Sequence, residues 1–301
     1  MSWNGLQRYL CPSKNPMNKF ALAFLLITVQ ACAQRTYLGE LHKLGKFPPK
    51  LEEVSGMEVG PNGNIWVIED SGNKDRIYRV NKDGEINESL KVDHAKNKDW
   101  EDLTLDVDGN LYIGDFGNNG NEREDLVIYK VPKDEMGKKQ PNADKIEFNY
   151  PEQKDFPPKK DSLYFDTEGF FHLNDHLYIF TKNRTRPYSG NTLIYRVPDK
   201  EGKYEAEFLG SLFLCADQDH CSVTSADISP NGNTIALLSY GFVFLLTDFK
   251  VPDLTKASIK IIDLKTDTQV ESICFANNNT LLIADEENRF GGRKLYELKL
   301  D

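Results

Sequence analysis

Short apolar runs alternate with polar clusters along the chain, and one order of them recurs five times. An acidic or polar lead-in is followed by an apolar run, an Asn/Asp/Gly turn, a second apolar run and another polar cluster. The copies are EVSGMEVGPNGNIWVIEDSGN, DWEDLTLDVDGNLYIGDFGNN, DTEGFFHLNDHLYIFTKNR, TSADISPNGNTIALLSYGF and VESICFANNNTLLIADEEN. Turn residues fall just before Ile65, Leu111, Leu177, Ile235 and Leu281. Gly, Asn and Asp tolerate the positive φ of tight hairpin turns, so each copy reads as a β-hairpin.

Third strands follow in RIYRV, LVIYKV, TLIYRV, FVFLL and KLYELKL, and fourth strands in INESLKV, KIEFNY, AEFLGSLFL and ASIKIIDL. Long helical periodicity appears nowhere. Four antiparallel strands repeating every 46 to 66 residues predict an all-β chain folded as a single β-propeller over residues 35–301. Five blades can be counted, and the two longer intervals leave room for a sixth. The last unit has three strands, whereas RTYLGELHKL stands alone near the start. The N-terminal strand is therefore expected to complete the last blade and close the ring, leaving no open sheet edge there.

Aligning the copies on Met57, Leu103, Phe170, Ile228 and Ile273 exposes two columns. Four residues earlier stand Glu53, Asp99, Asp166, Thr224 and Gln269; two residues earlier stand Ser55, Glu101, Glu168, Ala226 and Glu271. On a period-2 strand these positions share a face. In a propeller the innermost strands line one channel, so the six carboxylates are expected to converge at its mouth. The ends of the second strands would bring Asp70, Asp115, Lys182, Tyr240 and the Asp285–Glu286 pair to the same rim.

Crowded carboxylates repel unless a cation, a basic ligand or raised pKa values relieve them. Glu53, Asp99, Glu101, Asp166, Glu168 and Glu271 are thus candidate metal ligands, with Ca²⁺ the expected ion because a hard cation prefers oxygen donors. Glu101 and Glu168 are the candidate catalytic carboxylates. Asp70, Trp100, Asp115, Arg123, Lys182 and Tyr240 are candidate ligand-binding residues, Trp100 as a stacking platform or as packing between blades. Lys182, Arg123 and Arg184 are the available counter-charges. Asp102, outside both columns, is the first candidate for a clip between blades, with Asp227 its counterpart. The alternative for the whole ring is structural, with carboxylates clipping neighbouring blades through backbone amides.

The net charge of −10, without a long basic block, argues against a nucleic-acid surface. From Met17 the sequence MNKFALAFLLITVQACAQ has a charged start, an apolar run and small residues, the layout of an export signal too short to span a bilayer. Residues 1–33 are read as a leader whose start is Met17. Its end is either a lipobox at Cys32 or an ordinary cleavage after Ala31-Cys32-Ala33. The expected location is the periplasm, the outer membrane as a lipoprotein, or the medium, with the membrane touched only through a lipid anchor at Cys32. Export permits a disulfide between Cys215 and Cys221 in CADQDHC, or two unlinked thiols; Cys274 lies in an apolar strand. His172 and His176 sit around a turn and make no zinc pattern. DVDGN imitates the start of a calcium loop, but Gly117 stands where its closing Glu belongs, so turn chemistry accounts for it. No nucleophile elbow is present.

The motifs SGMEVGPNGNIWVIEDSGN, DWEDLTLDVDGNLYIGDFGNN followed by Arg123, DTEGFF…LYIFTK, VTSADISPNGNTIALLSY and QVESICF resemble a family of exported bacterial β-propellers without an assigned activity. That family carries the pattern E-x-S-G-[LM], N-D-S-G, D-W-E-D, G-D-x-G-[DN]-N and T-x-A-D-I-S. The chain departs from it at Glu69, where the family shows Asn. In architecture it is more distantly similar to lactonase-like, strictosidine-synthase-like and phytase-linked esterase-like propellers. The resemblance implies the fold and lends no activity; the acidic channel mouth itself points to a metal-assisted hydrolase of lactones, esters or phosphoesters. The alternative is a non-catalytic, monomeric propeller that binds a small molecule, a glycan or an envelope protein.

Overall fold

The computed structural model describes residues 36–266, 268–289 and 291–300. The leader proposed for residues 1–33 lies outside them. Strands β1 (Thr36–Leu38) and β2 (His42–Lys46) come first and join blades formed late in the chain. The first blade is β3 (Val54–Val59), β4 (Ile65–Glu69), β5 (Arg76–Val80) and β6 (Ile86–Lys91). The second is β7 (Trp100–Leu105), β8 (Leu111–Asp115), β9 (Leu126–Val131) and β10 (Asp144–Asn149). The third holds β11 (Asp166–Leu173), β12 (His176–Lys182) and β13 (Asn191–Pro198); its chain then leaves as β14 (Gly202–Glu205) and returns as β15 (Glu207–Phe213). A one-turn helix, α1 (Gln218–Cys221), precedes the fourth blade: β16 (Ser225–Ile228), β17 (Ile235–Leu238), β18 (Phe242–Thr247) and β19 (Ser258–Asp263). The fifth is β20 (Val270–Asn277), β21 (Thr280–Asp285) and β22 (Lys294–Lys299), completed by β2.

The innermost strands β3, β7, β11, β16 and β20 pack side by side, and β20 closes the ring on β3. Five hydrophobic clusters fill the five spaces between blades; Trp66, Ile68, Trp100 and Leu103, for example, share the layer between the first two. A sixth blade is absent among the described residues. The longer intervals hold instead the segment 150–165 and β14, which adds to β10 as a parallel edge strand. Closure takes two stitches: β1 pairs in parallel with β19 of the fourth blade before β2 pairs antiparallel with β22 of the fifth.

The turn chemistry works as the residue types suggest at four hairpins, where Asn62, Gly63, Gly109, Asn174, Asp175 and Gly232 adopt positive φ. At the fifth, Asn277 pairs with Thr280 across a turn without positive φ, and β20 slips register just before it. Gly56 lets two inner strands approach backbone to backbone, since a Cβ there would lie 2.8 Å from the Asp102 Cα.

Candidate functional site

Register slips build the site. In four of the five inner strands the ladder skips one residue, between Val54 and Gly56, Trp100 and Asp102, Thr167 and Gly169, and Val270 and Ser272. The skipped residues are Ser55, Glu101, Glu168 and Glu271. A bulge leaves its extra residue unpaired and re-aims its side chain, and these four line a common cavity of about 440 Å³. β16 carries no bulge, and its Ala226 packs in the hydrophobic layer between blades. The shared parity expected of the two columns is broken by the bulges, so the columns part.

Of the column two positions before the first apolar residue, all but Ala226 reach the cavity; of the column four positions before it, Gln269 also lines the cavity and the acidic members part. Glu53 is exposed and accepts from Asn73 Nδ2 at 2.7 Å. Asp166 is fully buried, accepting from the Asn118 amide at 2.8 Å and from Arg184 Nε at 2.5 Å, so its oxygens are engaged by the protein. Asp99 stays beside Glu101. With Asp70, which follows β4, these two form a corner in which one oxygen from each lies within 4.8 Å of the others. The six-carboxylate ring thus contracts to three oxygens, with Asp70 taking a place assigned to Glu53 and Asp166. Glu101 is 6% exposed, and neither oxygen accepts a hydrogen bond from a described residue. Burial, then the charges of Glu168, Asp70 and Asp99, push its pKa well above the carboxylate range. Burial and Asp70 push Asp99 up to about 6. Gly117 abuts this corner, and a Cβ there would collide with Glu101 Oε1 and Asp99 Oδ2.

Across the cavity stand the cations. Lys182 Nζ lies 3.0 Å from Glu168 Oε1 and 3.3 Å from the Tyr240 hydroxyl. Burial alone would lower the Lys182 pKa, but Glu168, Glu271 and Tyr240 hold it well above its ordinary value. Arg184 reaches Asp166, Glu168 at 3.3 Å, and Asn119. Tyr240 donates to Glu271 Oε1 at 2.5 Å. Glu286, next to Asp285 at the end of β21, also lines the cavity, and burial together with Glu271 and Asp70 pushes it up to about 9.

Three ligand-binding candidates fall elsewhere. Trp100 is fully buried, 6.3 Å from the Tyr129 ring, with its Nε1 donating to the Lys96 carbonyl at 3.1 Å, so it offers no face to a ligand. Asp115 pairs with Trp100 across the ladder and is therefore the equivalent of Glu69, not of Asp70. Its side chain turns away from the cavity and accepts from Arg123 Nη2 at 3.1 Å. Arg123 is spent there and on the Gly117 carbonyl at 2.8 Å.

Asp102 is fully buried and does act as a clip. It accepts from its neighbour Leu103, from Phe170 N of the third blade at 3.3 Å, and from Ala226 N and Ser225 Oγ of the fourth at 3.1 Å each. Asp227 takes Phe275 N of the fifth blade at 2.7 Å. Acidic residues of the channel therefore divide into clips and cavity wall.

Pattern reading missed Asn119, Asn183, Gln218, Asp219 and Ser222, which also line the cavity. The last three belong to the segment around α1, closed by a Cys215–Cys221 disulfide, and the CADQDHC spacing was the available signal. Cys274 is buried and free. At the opposite end of the ring Asp106, His172 and Asp199 also bring ligand atoms within 4.8 Å. There His172 Nε2 is 3.0 Å from Asp199 Oδ2, and Tyr112 donates to Asp106 at 3.0 Å. Asp106 also accepts from the Asp108 and Asn110 amides, the turn role expected of DVDGN.

No protein-family model matches the chain, and no curated protein sequence matches it. Among solved structures, it is similar to the PQQ-bound aldose sugar dehydrogenase of Streptomyces coelicolor at 11% identity, covering 89% of this chain and 99% of that one with a TM-score of 0.52. A gluconolactonase of Xanthomonas campestris matches at 13% identity over 82% and 72% of the two chains, with a TM-score of 0.44. A streptogramin B lyase matches at 12% identity over 87% of each, with a TM-score of 0.43. A dehydrogenase, a lactonase and a lyase among the neighbours leave the reaction to be argued from the site.

Proposed function

We propose that this protein is an exported, cation-dependent hydrolase of lactone or ester substrates. The observation that carries the reading is the Asp70–Asp99–Glu101 corner, three carboxylate oxygens within 4.8 Å facing a wall of Lys182, Arg184 and Tyr240. Lys182 and Arg123 act on this corner only from a distance, and acidic oxygen donors without a direct ion pair among the described residues suit a hard divalent cation; Ca²⁺ is the ion proposed. Bound there, it would supply Lewis-acid polarisation of a carbonyl oxygen.

The chain's own groups do the rest. Glu101 belongs to the cation corner, which leaves Glu168 as the carboxylate to take a proton from water. Tyr240 and Lys182 hold protons beside it, where a departing alkoxide needs one. Phosphoesters are the least favoured class, because carboxylates outnumber cations in the lining. The apolar leader in residues 1–33 and the Cys215–Cys221 disulfide support a place in the cell envelope.

The test is a panel of lactones and carboxylic esters assayed with Ca²⁺ and with chelator. Turnover that requires Ca²⁺ and is lost in Glu168→Gln supports the reading. Ca²⁺ binding without turnover of any panel member would replace it with a non-catalytic propeller for an envelope glycan, small molecule or protein.

A further inference from the structure

The charge left over in the cavity after a metal has been placed defines what else it will accept. Asp70, Glu101, Glu168, Asp219, Glu271 and Glu286 line it against two cations, Lys182 and Arg184. Both cations are already engaged: Lys182 by Glu168 at 3.0 Å, Arg184 by Asp166 and Glu168. An anionic substrate would find no free positive side chain in the lining. One divalent ion at Asp70, Asp99 and Glu101 offsets that corner alone.

The opposite wall is then uncompensated. Glu271 is the bulged residue of β20 and Glu286 follows β21. The pairing of Val270 with Asp285, and the Glu286 amide bond to the Gln269 carbonyl at 3.0 Å, set them side by side on one blade. Glu271 is 8% exposed, and only its Oε1 has a donor, the Tyr240 hydroxyl. Glu286, half-buried beside it, faces the charges of Glu271, Asp70 and Glu53. Asp219 closes the wall from α1, held in place by the adjacent disulfide. In the empty cavity raised pKa values relieve this crowding, Glu286 standing at about 9; a protonated amine or a guanidinium relieves it instead by its charge and by donating hydrogen bonds to the same oxygens.

We infer that the cavity selects ligands carrying a positive charge, seated against Glu271, Glu286 and Asp219. Resting on the hydrolase reading of the same cavity, this makes the substrate a lactone or ester whose acyl or alcohol part bears a basic group. A neutral polyol could satisfy the same oxygens, but it would gain nothing from the charge excess and would be insensitive to salt.

Isothermal titration of the full chain, loaded with Ca²⁺, separates the cases with three probes of one skeleton: N-acetyl-lysine methylamide, N-acetyl-norleucine methylamide and N-acetyl-glutamate methylamide. The lysine probe should bind about tenfold or more tightly than the norleucine probe. The glutamate probe should not bind, and the preference should shrink as salt rises. Glu271→Gln/Glu286→Gln should erase the preference and keep Ca²⁺ binding; Asp219→Asn, at the exposed rim, should reduce it with the fold untouched. Lysine-probe affinity at or below that of the norleucine or glutamate probe, or a preference unchanged in both variants, overturns the inference. In the wild-type protein, absence of the preference with Ca²⁺ binding retained sinks this inference alone. A preference that persists in protein unable to bind Ca²⁺ sinks the hydrolase reading and leaves this one standing.

Discussion

Lys182 shows how much one residue is asked to do. It ends β12, is 7% exposed, and sits between Glu168 and Tyr240. A buried ion pair contributes little net stability over an apolar pair of the same shape, but removing one partner strands the other charge. Lys182→Met should therefore lower unfolding stability by about 3 kcal/mol, toward the low end for such losses because Arg184 still reaches Glu168. Lys182→Met/Glu168→Leu should recover most of it. Urea denaturation of the three proteins checks this, and a double variant no more stable than the single one would contradict it. Lys182, Tyr240 and Glu271 were legible in sequence because their strands repeat in register. Trp100 and Asp115 were misplaced because a one-residue shift turns a side chain to the other face. Asp115 is the partner of Trp100, whereas Asp70 lies one residue beyond the partner of Val54.

At the scale of elements, the inner strands are held by carboxylate clips as well as by ladders. Asp102 gathers two amides and a hydroxyl from the third and fourth blades, all buried. Asp102→Ala leaves those donors unpaired and should cost about 4 kcal/mol. The exposed Glu53→Ala should cost less than about 0.5 kcal/mol. Equal denaturation midpoints would remove the clip from this account. Hairpins and blade count could be read from apolar runs and turn residues, and Asp102 could be singled out because it fell outside the columns. The bulges could not be read. A register slip depends on which residue of a neighbouring strand faces which, and no local signal marks Ser55, Glu101, Glu168 or Glu271 as the skipped one.

For the whole molecule, the acidic channel makes stability depend on pH in an unusual direction. Asp99 is raised to about 6, Glu69 and Asp227 to about 7 and Glu286 to about 9, each first by burial. A carboxyl whose folded pKa lies above its unfolded value near 4 favours the folded state most below that unfolded value, and the benefit is lost as pH rises through the folded pKa. Metal-free protein should thus melt at progressively lower temperature from pH 5 to pH 9, as scanning calorimetry would show. A melting temperature that rises over that range would contradict the assignment. The ring closure anticipated from the lone N-terminal strand is present, though divided between β1 and β2, a split that the run RTYLGELHKL does not announce.

The central claim is that Asp70, Asp99 and Glu101 hold a cation, and the most direct measurement is calorimetric titration of chelator-treated protein with Ca²⁺ at neutral pH, paired with its melting temperature. One site should be seen, with stabilisation of about 2.7 kcal/mol at a hundredfold excess over Kd. Both signals should vanish in Asp70→Asn and Glu101→Gln and persist in Glu53→Gln. No heat of binding and an unchanged melting temperature in the wild-type protein would contradict the account.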